Sequence, residues 1–194
     1  ARFARIAPAL GLSAVLLAAC AVSDLDETPP PMGRFLLGHN IAVVADDFEV
    51  PPLSRTLSNE VWAGTVRKAM NDRFSRYDGD QYFHISAAVL GYMLAPPGVP
   101  VVAAPKSILM ADVHVFRDSD GGKPINAEAE RFTVFEEGGD VIVGSGLTRT
   151  AEEQAESLAR NLAKAVHDWM LENKEWFGDA SQMAPATTSA GRPI

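Results

Sequence analysis

Two stretches of the chain carry hydrophobic residues at the 3.6-residue spacing of an amphipathic helix. The first spans residues 59–77, where Ser58 is a suitable N-cap, Glu60 lies in the first turn, and Asp78-Gly79 ends the pattern. The second spans residues 151–173, where Thr150 and Glu153 form a capping box. Its apolar face consists of Ala155, Leu158, Ala159, Leu162, Ala165, Val166, Trp169 and Met170.

Shorter stretches are typical of β-strands bounded by turn residues. Turns at Asp118–Gly122 and Glu137–Asp140 join neighbouring strands as hairpins. The predicted strands are 40–50, 82–94, 107–117, 127–136 and 141–144. The order strand, helix, four strands, helix predicts an α+β fold. We expect a mostly antiparallel sheet of about five strands with two amphipathic helices on one face.

The two ends of the chain differ in composition from its centre. Residues 1–19 have a basic start, a short apolar run and small residues at its end, which is typical of a signal peptide. Residues 20–35 contain three consecutive prolines and predict a stiff tether outside the core. Residues 36–177 are expected to form a single domain, and 178–194 a disordered tail.

The net negative charge of the chain argues against one class of partner, nucleic acids. The 194 residues carry a formal net charge of −8, and loss of Arg2 and Arg5 with the signal peptide would make it −10. Because nucleic-acid binding depends on neutralising phosphates with Lys and Arg, we expect no nucleic-acid partner. The apolar share of 47% predicts an ordinary globular body.

Candidate chemistry is sparse. His84 and His114 fall in separate predicted strands and, with Asp112, could form a metal or acid–base site, but we favour the interpretation that they are surface or half-buried sheet histidines. No His or Cys pair has metal-ligand spacing, and Gly144-Ser145-Gly146 lacks the spacing of a nucleophile elbow. We therefore expect no catalytic residues, no metal and no cofactor.

Residues 85–105 contain no charged side chain and are interrupted by several prolines. The latter half of this segment links two predicted strands as an apolar loop, and exposed apolar loops often mark contact sites. The alternative is that the valines fold back onto the core or form an edge strand. The candidate contact residues are Met93, Leu94, Val99, Val101 and Val102.

The segment Leu17-Ala18-Ala19-Cys20 resembles the lipobox of bacterial lipoproteins. The resemblance implies cleavage before Cys20, a thioether-linked diacylglycerol on its sulfur, and a further acyl chain such as palmitate on the new N-terminus. Two or more acyl chains form a durable membrane anchor. Since Ala21 follows in place of aspartate, the resemblance implies the periplasmic leaflet of the outer membrane.

The body resembles the auxiliary lipoproteins of ABC-type transport systems and the N-terminal domain of TolB. The resemblance rests on the order of elements, on Trp62-Ala63, on the Asp118–Gly122 hairpin and on the alanine-rich second helix. An uncharacterised lipoprotein family fits the same order.

The expected function is a non-catalytic accessory or assembly subunit of an envelope machine, with lipid transport one candidate process. The expected partners are the membrane, through Cys20, and an envelope protein. A lipid or small-ligand binding module is the second interpretation, and a hydrolase the third.

Overall fold

A computed structural model describes residues 24–46, 50–97, 107–136, 149–179 and residue 181. Four strands form one sheet in the order β1 to β4. They are β1 (Phe35–Val44), β2 (Gln81–Met93), β3 (Ile108–Arg117) and β4 (Glu130–Phe135). Two helices, α1 (Asn59–Phe74) and α2 (Ala151–Glu172), pack on one face of this sheet. The predicted α+β class is confirmed.

The prediction of a mostly antiparallel sheet is wrong, because β1 and β2 are parallel while β2–β3 and β3–β4 are antiparallel. The reason is the connection. The chain leaves β1, runs back through α1, and enters β2 from the same end, which is the crossover that parallel neighbours require. The sheet is therefore mixed. The predicted fifth strand, 141–144, lies outside the described residues.

Both helices begin where the sequence predicts. The Ser58 side chain accepts a hydrogen bond from the Val61 amide, and Thr150 and Glu153 make both hydrogen bonds of a capping box. Capping satisfies amides that would otherwise lack a partner in the first turn. Helix α1 ends at Phe74, three residues before the predicted end.

Alternation along the strands places the core between the sheet and the helices. In β3, Leu109, Ala111, Val113 and Val115 are fully buried, and the intervening residues are half-buried. The helices contribute Trp62 and Val66 from α1, and α2 contributes a buried stripe. The stripe consists of Ala155, Leu158, Ala159, Leu162, Ala163, Val166 and Met170.

The first strand begins five residues earlier than predicted. Phe35 is 1% exposed and Met32 is 2% exposed, so residues assigned to the tether belong to the core. The expectation that the proline-rich segment lies outside the core is wrong for its last residues. The large apolar side chains of Met32 and Phe35 after the prolines could have indicated this burial, but two such residues show no helix or strand periodicity.

Leu162 tests the position of α2 because its side chain is completely buried. Replacing Leu162 by Ala should lower the free energy of unfolding by about 2–5 kcal/mol, since a cavity remains where the side chain was. Chemical denaturation measures this change. Arg160→Ala, at an exposed position of the same helix, should change it by less than about 0.5 kcal/mol. An equal effect of both substitutions would contradict this placement of the helix.

Candidate functional site

The face of the sheet opposite the helices carries exposed apolar side chains. Ile41 and Val43 of β1 are 55% and 51% exposed, and Tyr82 of β2 and Phe135 of β4 are exposed to a similar degree. Their neighbours Ala42, Phe83 and Val134 are buried on the helix side. We call this surface the open face; its apolar members include Leu36, Ile41, Val43, Tyr82, Ala88, Met93, Ile108, Met110 and Phe135.

Strand register assembles these residues into rows. Met93 pairs with Ile108, and Ile108 pairs with Phe135, so one apolar row crosses three strands at one end of the sheet. Nearer the middle, Val43 pairs with Ala88. Paired residues project on the same side of a sheet, so side chains distant in sequence form one continuous surface.

One ion pair lies within this surface. Arg131 donates from Nε and Nη2 to the two carboxylate oxygens of Asp112, each at 2.8 Å. These hydrogen bonds hold the pKa of Asp112 below its usual value. The pair removes net charge from the open face, and Arg131 engages both carboxylate oxygens of Asp112.

His84 and His114 each bind other parts of the protein, in agreement with their interpretation as sheet histidines. The His39 amide donates to Nδ1 of His84 at 2.8 Å, and Nε2 of His84 lies 3.1 Å from Oδ1 of Asp118. Nδ1 therefore acts as an acceptor and Nε2 carries the proton toward Asp118. His114 instead places Nδ1 3.3 Å from the carbonyl of Asn126.

The role of His84 is to hold an irregularity in β1. The register between β1 and β2 shifts between Leu37 and Asn40, and His84 binds the backbone there. A Cβ at Gly38 would lie 2.5 Å from Nδ1 of His84, so only glycine admits the ring at this distance. Within the described ranges, no group of three or more His, Cys, Asp or Glu residues could hold a metal ion.

The predicted contact residues lie in different environments. Met93 is half-buried and belongs to the open face. Leu94 is completely buried, so its assignment to a contact surface is wrong. Its backbone is also held, because its amide donates to Oγ of Ser54 at 2.9 Å and its carbonyl accepts from Arg55. Val99, Val101 and Val102 lie outside the described residues, as does Cys20.

Sequence reasoning missed most of the open face. Ile41 and Val43 carry the period-two pattern of a strand, but the pattern does not say which side the helices cover. Phe135 gave no separate signal. Its exposure follows from its pairing with Ile108, a tertiary contact.

Two grooves among the described residues are open to solvent. One of about 560 Å³ lies between β1 and α1 and is lined by residues such as His39, Asn40, Arg67 and Lys68. Another of about 350 Å³ runs between β4 and α2. Neither encloses its volume, and the second is bordered by Phe135 of the open face.

A mixed sheet covered on one face by two helices defines the structural class of this chain. No family model matches it, and no curated protein matches it. Solved structures that resemble it include the following two. The PelC dodecamer from Paraburkholderia phytofirmans has 10% identity and a TM-score of 0.37, covering 73% of this chain and 92% of that one. A "putative lipoprotein" from Caulobacter crescentus CB15 has 14% identity and a TM-score of 0.36, covering 76% and 93%. Likeness at this level carries no argument about function.

The remaining histidine is buried away from the open face. His167 of α2 is 4% exposed, and its Nε2 lies 2.6 Å from the Tyr77 hydroxyl. Burial, followed by the nearby charge of Arg73, lowers the pKa of His167. Burial also raises the pKa of Tyr77 to about 12. Both shifts favour neutral side chains.

This environment predicts acid-sensitive stability. Since the unfolded chain binds a proton at His167 more readily than the folded chain, stability should fall as the pH drops below about 6.5. His167→Gln should flatten this dependence between pH 7.5 and 5.5, and the exposed control His39→Gln should retain it. Thermal melting across this range provides the measurement. A wild-type slope that survives in His167→Gln would contradict the assignment.

Proposed function

We propose that this chain is a lipid-anchored envelope protein of the outer membrane's periplasmic leaflet, acylated on Cys20. Its body acts as a non-catalytic accessory subunit. It docks a protein partner through the open face. The observation that carries this proposal is the exposure of Ile41, Val43, Tyr82 and Phe135 on one face of the sheet.

The anchor is supported by the sequence of the first twenty residues. Arg2 and Arg5 precede a short apolar run that ends in Leu17-Ala18-Ala19-Cys20. Cys20 is the single cysteine of the chain. Among the described residues, no helix is both long enough and apolar enough to cross a bilayer.

A protein partner fits the open face better than a lipid ligand does. A site for an apolar small molecule is concave and buries most of its ligand, whereas the open face is a sheet surface with exposed side chains. Covering such side chains is worth about 25 cal/mol per Å² of apolar surface, part of which is lost to association costs. Because loss of Arg2 and Arg5 with the signal peptide brings the net charge from −8 to −10, the partner should present apolar side chains bordered by basic ones.

The proposal that the body is non-catalytic is supported by the hydrogen bonds that its candidate acid–base side chains make to other protein groups. Each ring nitrogen of His84 has a protein partner, and the Asp112 carboxylate is held by Arg131. A general base needs a free acceptor within reach of a substrate. These groups are committed to the fold.

Cys20 tests the anchor. Cys20→Ser should abolish incorporation of radiolabelled palmitate and shift the protein from the membrane fraction, since the serine hydroxyl replaces the thiol that bonds the lipid. Immunoblotting of fractionated cells and acyl labelling are the measurements. Ala19→Ser, which keeps a small residue beside the cysteine, is the matched control and should remain labelled. Unchanged labelling of Cys20→Ser would end this part of the proposal.

The open face is tested by photo-crosslinking in cells. A benzophenone amino acid at Tyr82 or Phe135 should give a discrete protein adduct, because both aromatic side chains are exposed on this face. The same group at Leu53, which is 69% exposed outside the face, is the control and should give none.

Ile41→Asp with Val43→Asp should remove the adduct by placing two carboxylates in the contact. The melting temperature should change little, because both side chains are already exposed. Equal crosslinking from Leu53, or crosslinking to lipid alone, would contradict a protein partner at this face.

A further inference from the structure

The segment that follows Cys20 is bound to the body at a specific place. Nη2 of Arg73 donates to both carboxylate oxygens of Asp24, at 3.0 and 2.9 Å. The Arg73 side chain is 6% exposed, so this charge is nearly buried and needs its carboxylate. The contact joins residues 49 positions apart in sequence.

A second arginine binds the backbone of the same segment. Nη1 of Arg76 lies 2.9 Å from the carbonyl oxygens of Leu25 and Glu27, and its Nε donates to the Arg73 carbonyl. A rigid guanidinium can bind several acceptors with little further ordering. We call residues 24–27 together with Arg73 and Arg76 the clasp.

The segment is held again farther along. Met32 is buried in the core, and the Arg34 amide donates to the Phe177 carbonyl at 2.9 Å. Gly33 has a φ of +54°, and a Cβ there would lie 2.2 Å from the Gly178 carbonyl oxygen. The chain therefore passes between two fixed points before β1 begins.

The clasp shortens the reach of any lipid on Cys20. Three residues lie between Cys20 and Asp24, so the four steps from one Cα to the other reach at most roughly 14 Å of extended chain. A free tether from Cys20 to Phe35 would span roughly 50 Å. The end of the body that carries the clasp includes the last turn of α1, and β1 and β2 start there. From this end, the 13 residues of β2 extend about 43 Å to Met93.

We infer that the clasp gives the anchored protein a fixed orientation, with this end of the body against the bilayer surface. The apolar row of Met93, Ile108 and Phe135 then points away from the membrane into the periplasm. This inference rests on the proposed acylation of Cys20. The orientation follows from covalent reach and not from attraction, because the anchored body is acidic and anionic headgroups repel it.

The first experiment tests the clasp without lipid. In the unacylated full-length chain, Cys20 carries one spin label and an introduced Glu175→Cys carries the other. Electron–electron resonance should give a short, narrow distance distribution. Asp24→Asn with Arg76→Gln should broaden it at least twofold, because the carboxylate charge and the guanidinium donors are removed.

Asp46→Asn with Arg67→Gln is the matched control, since it makes the same chemical changes at exposed positions outside the clasp. This control should keep the narrow distribution. A wild-type distribution as broad as that of the clasp variant would overturn the clasp.

The second experiment tests orientation on acylated protein in phosphatidylcholine vesicles that contain a headgroup fluorophore. With Cys20 blocked by lipid, a donor dye attaches only to Glu175→Cys or to Leu53→Cys. Energy transfer should be several-fold stronger from position 175 than from position 53. The clasp variant should reduce this difference, and the addition of phosphatidylglycerol should leave it unchanged.

The outcomes separate the two proposals. Equal transfer from both positions, with Cys20 acylated, would overturn the orientation and leave the proposed function standing. A mass spectrum without an acyl group on Cys20 would overturn the proposed function and the orientation together. The spin-label distances test whether the clasp forms, whether or not Cys20 is acylated in cells.

Discussion

The packing of aromatic rings around Phe35 holds the ends of this domain together. The Phe35 ring lies 5.4–5.9 Å from the rings of Phe74, Tyr77, Phe83 and Phe177. Such pairs contribute about 0.5–1.5 kcal/mol each beyond the burial of their area. They join the start of β1, the end of α1, the start of β2 and the turn after α2, four regions far apart in sequence. One aromatic cluster therefore packs the start of β1 against the segment that follows α2.

The same cluster explains why the segment before β1 lies against the body. Once Phe35 is fixed between α1 and the C-terminal turn, Met32 and Gly33 must follow the surface of that turn. Arg73 and Arg76 lie on the last turn of α1 and just beyond it, where the chain arrives, and they bind residues 24–27. Residues 24–35, which include the three prolines, are thus bound to the domain at the clasp and at Met32 and Phe35.

The two faces of the sheet have different roles as a result. The helix-covered face supplies the buried core, and the His167–Tyr77 pair within it is hydrogen-bonded. The open face keeps apolar side chains exposed, which a monomer does not need for folding. In the proposed function, the clasped end and the open face serve the membrane anchor and the protein partner. Between them, His84 binds the backbone of β1, and the Arg131–Asp112 pair joins β4 to β3.

The sequence by itself determined the class of fold and both helices, because capping residues and a 3.6-residue period are local signals. Thr150 with Glu153, and Ser58 with Glu60, marked the helix starts correctly. It also provided the hypothesis of a lipid anchor, through residues 17–20.

Only the tertiary structure decided the parallel pairing of β1 with β2, the burial of Leu94 and the exposure of Ile41 and Val43. Strand pairing depends on contacts between residues about 45 positions apart, which no local pattern contains. The clasp is similar, because Asp24, Arg73 and Arg76 carry no local signal of contact and meet only across about 50 positions of sequence.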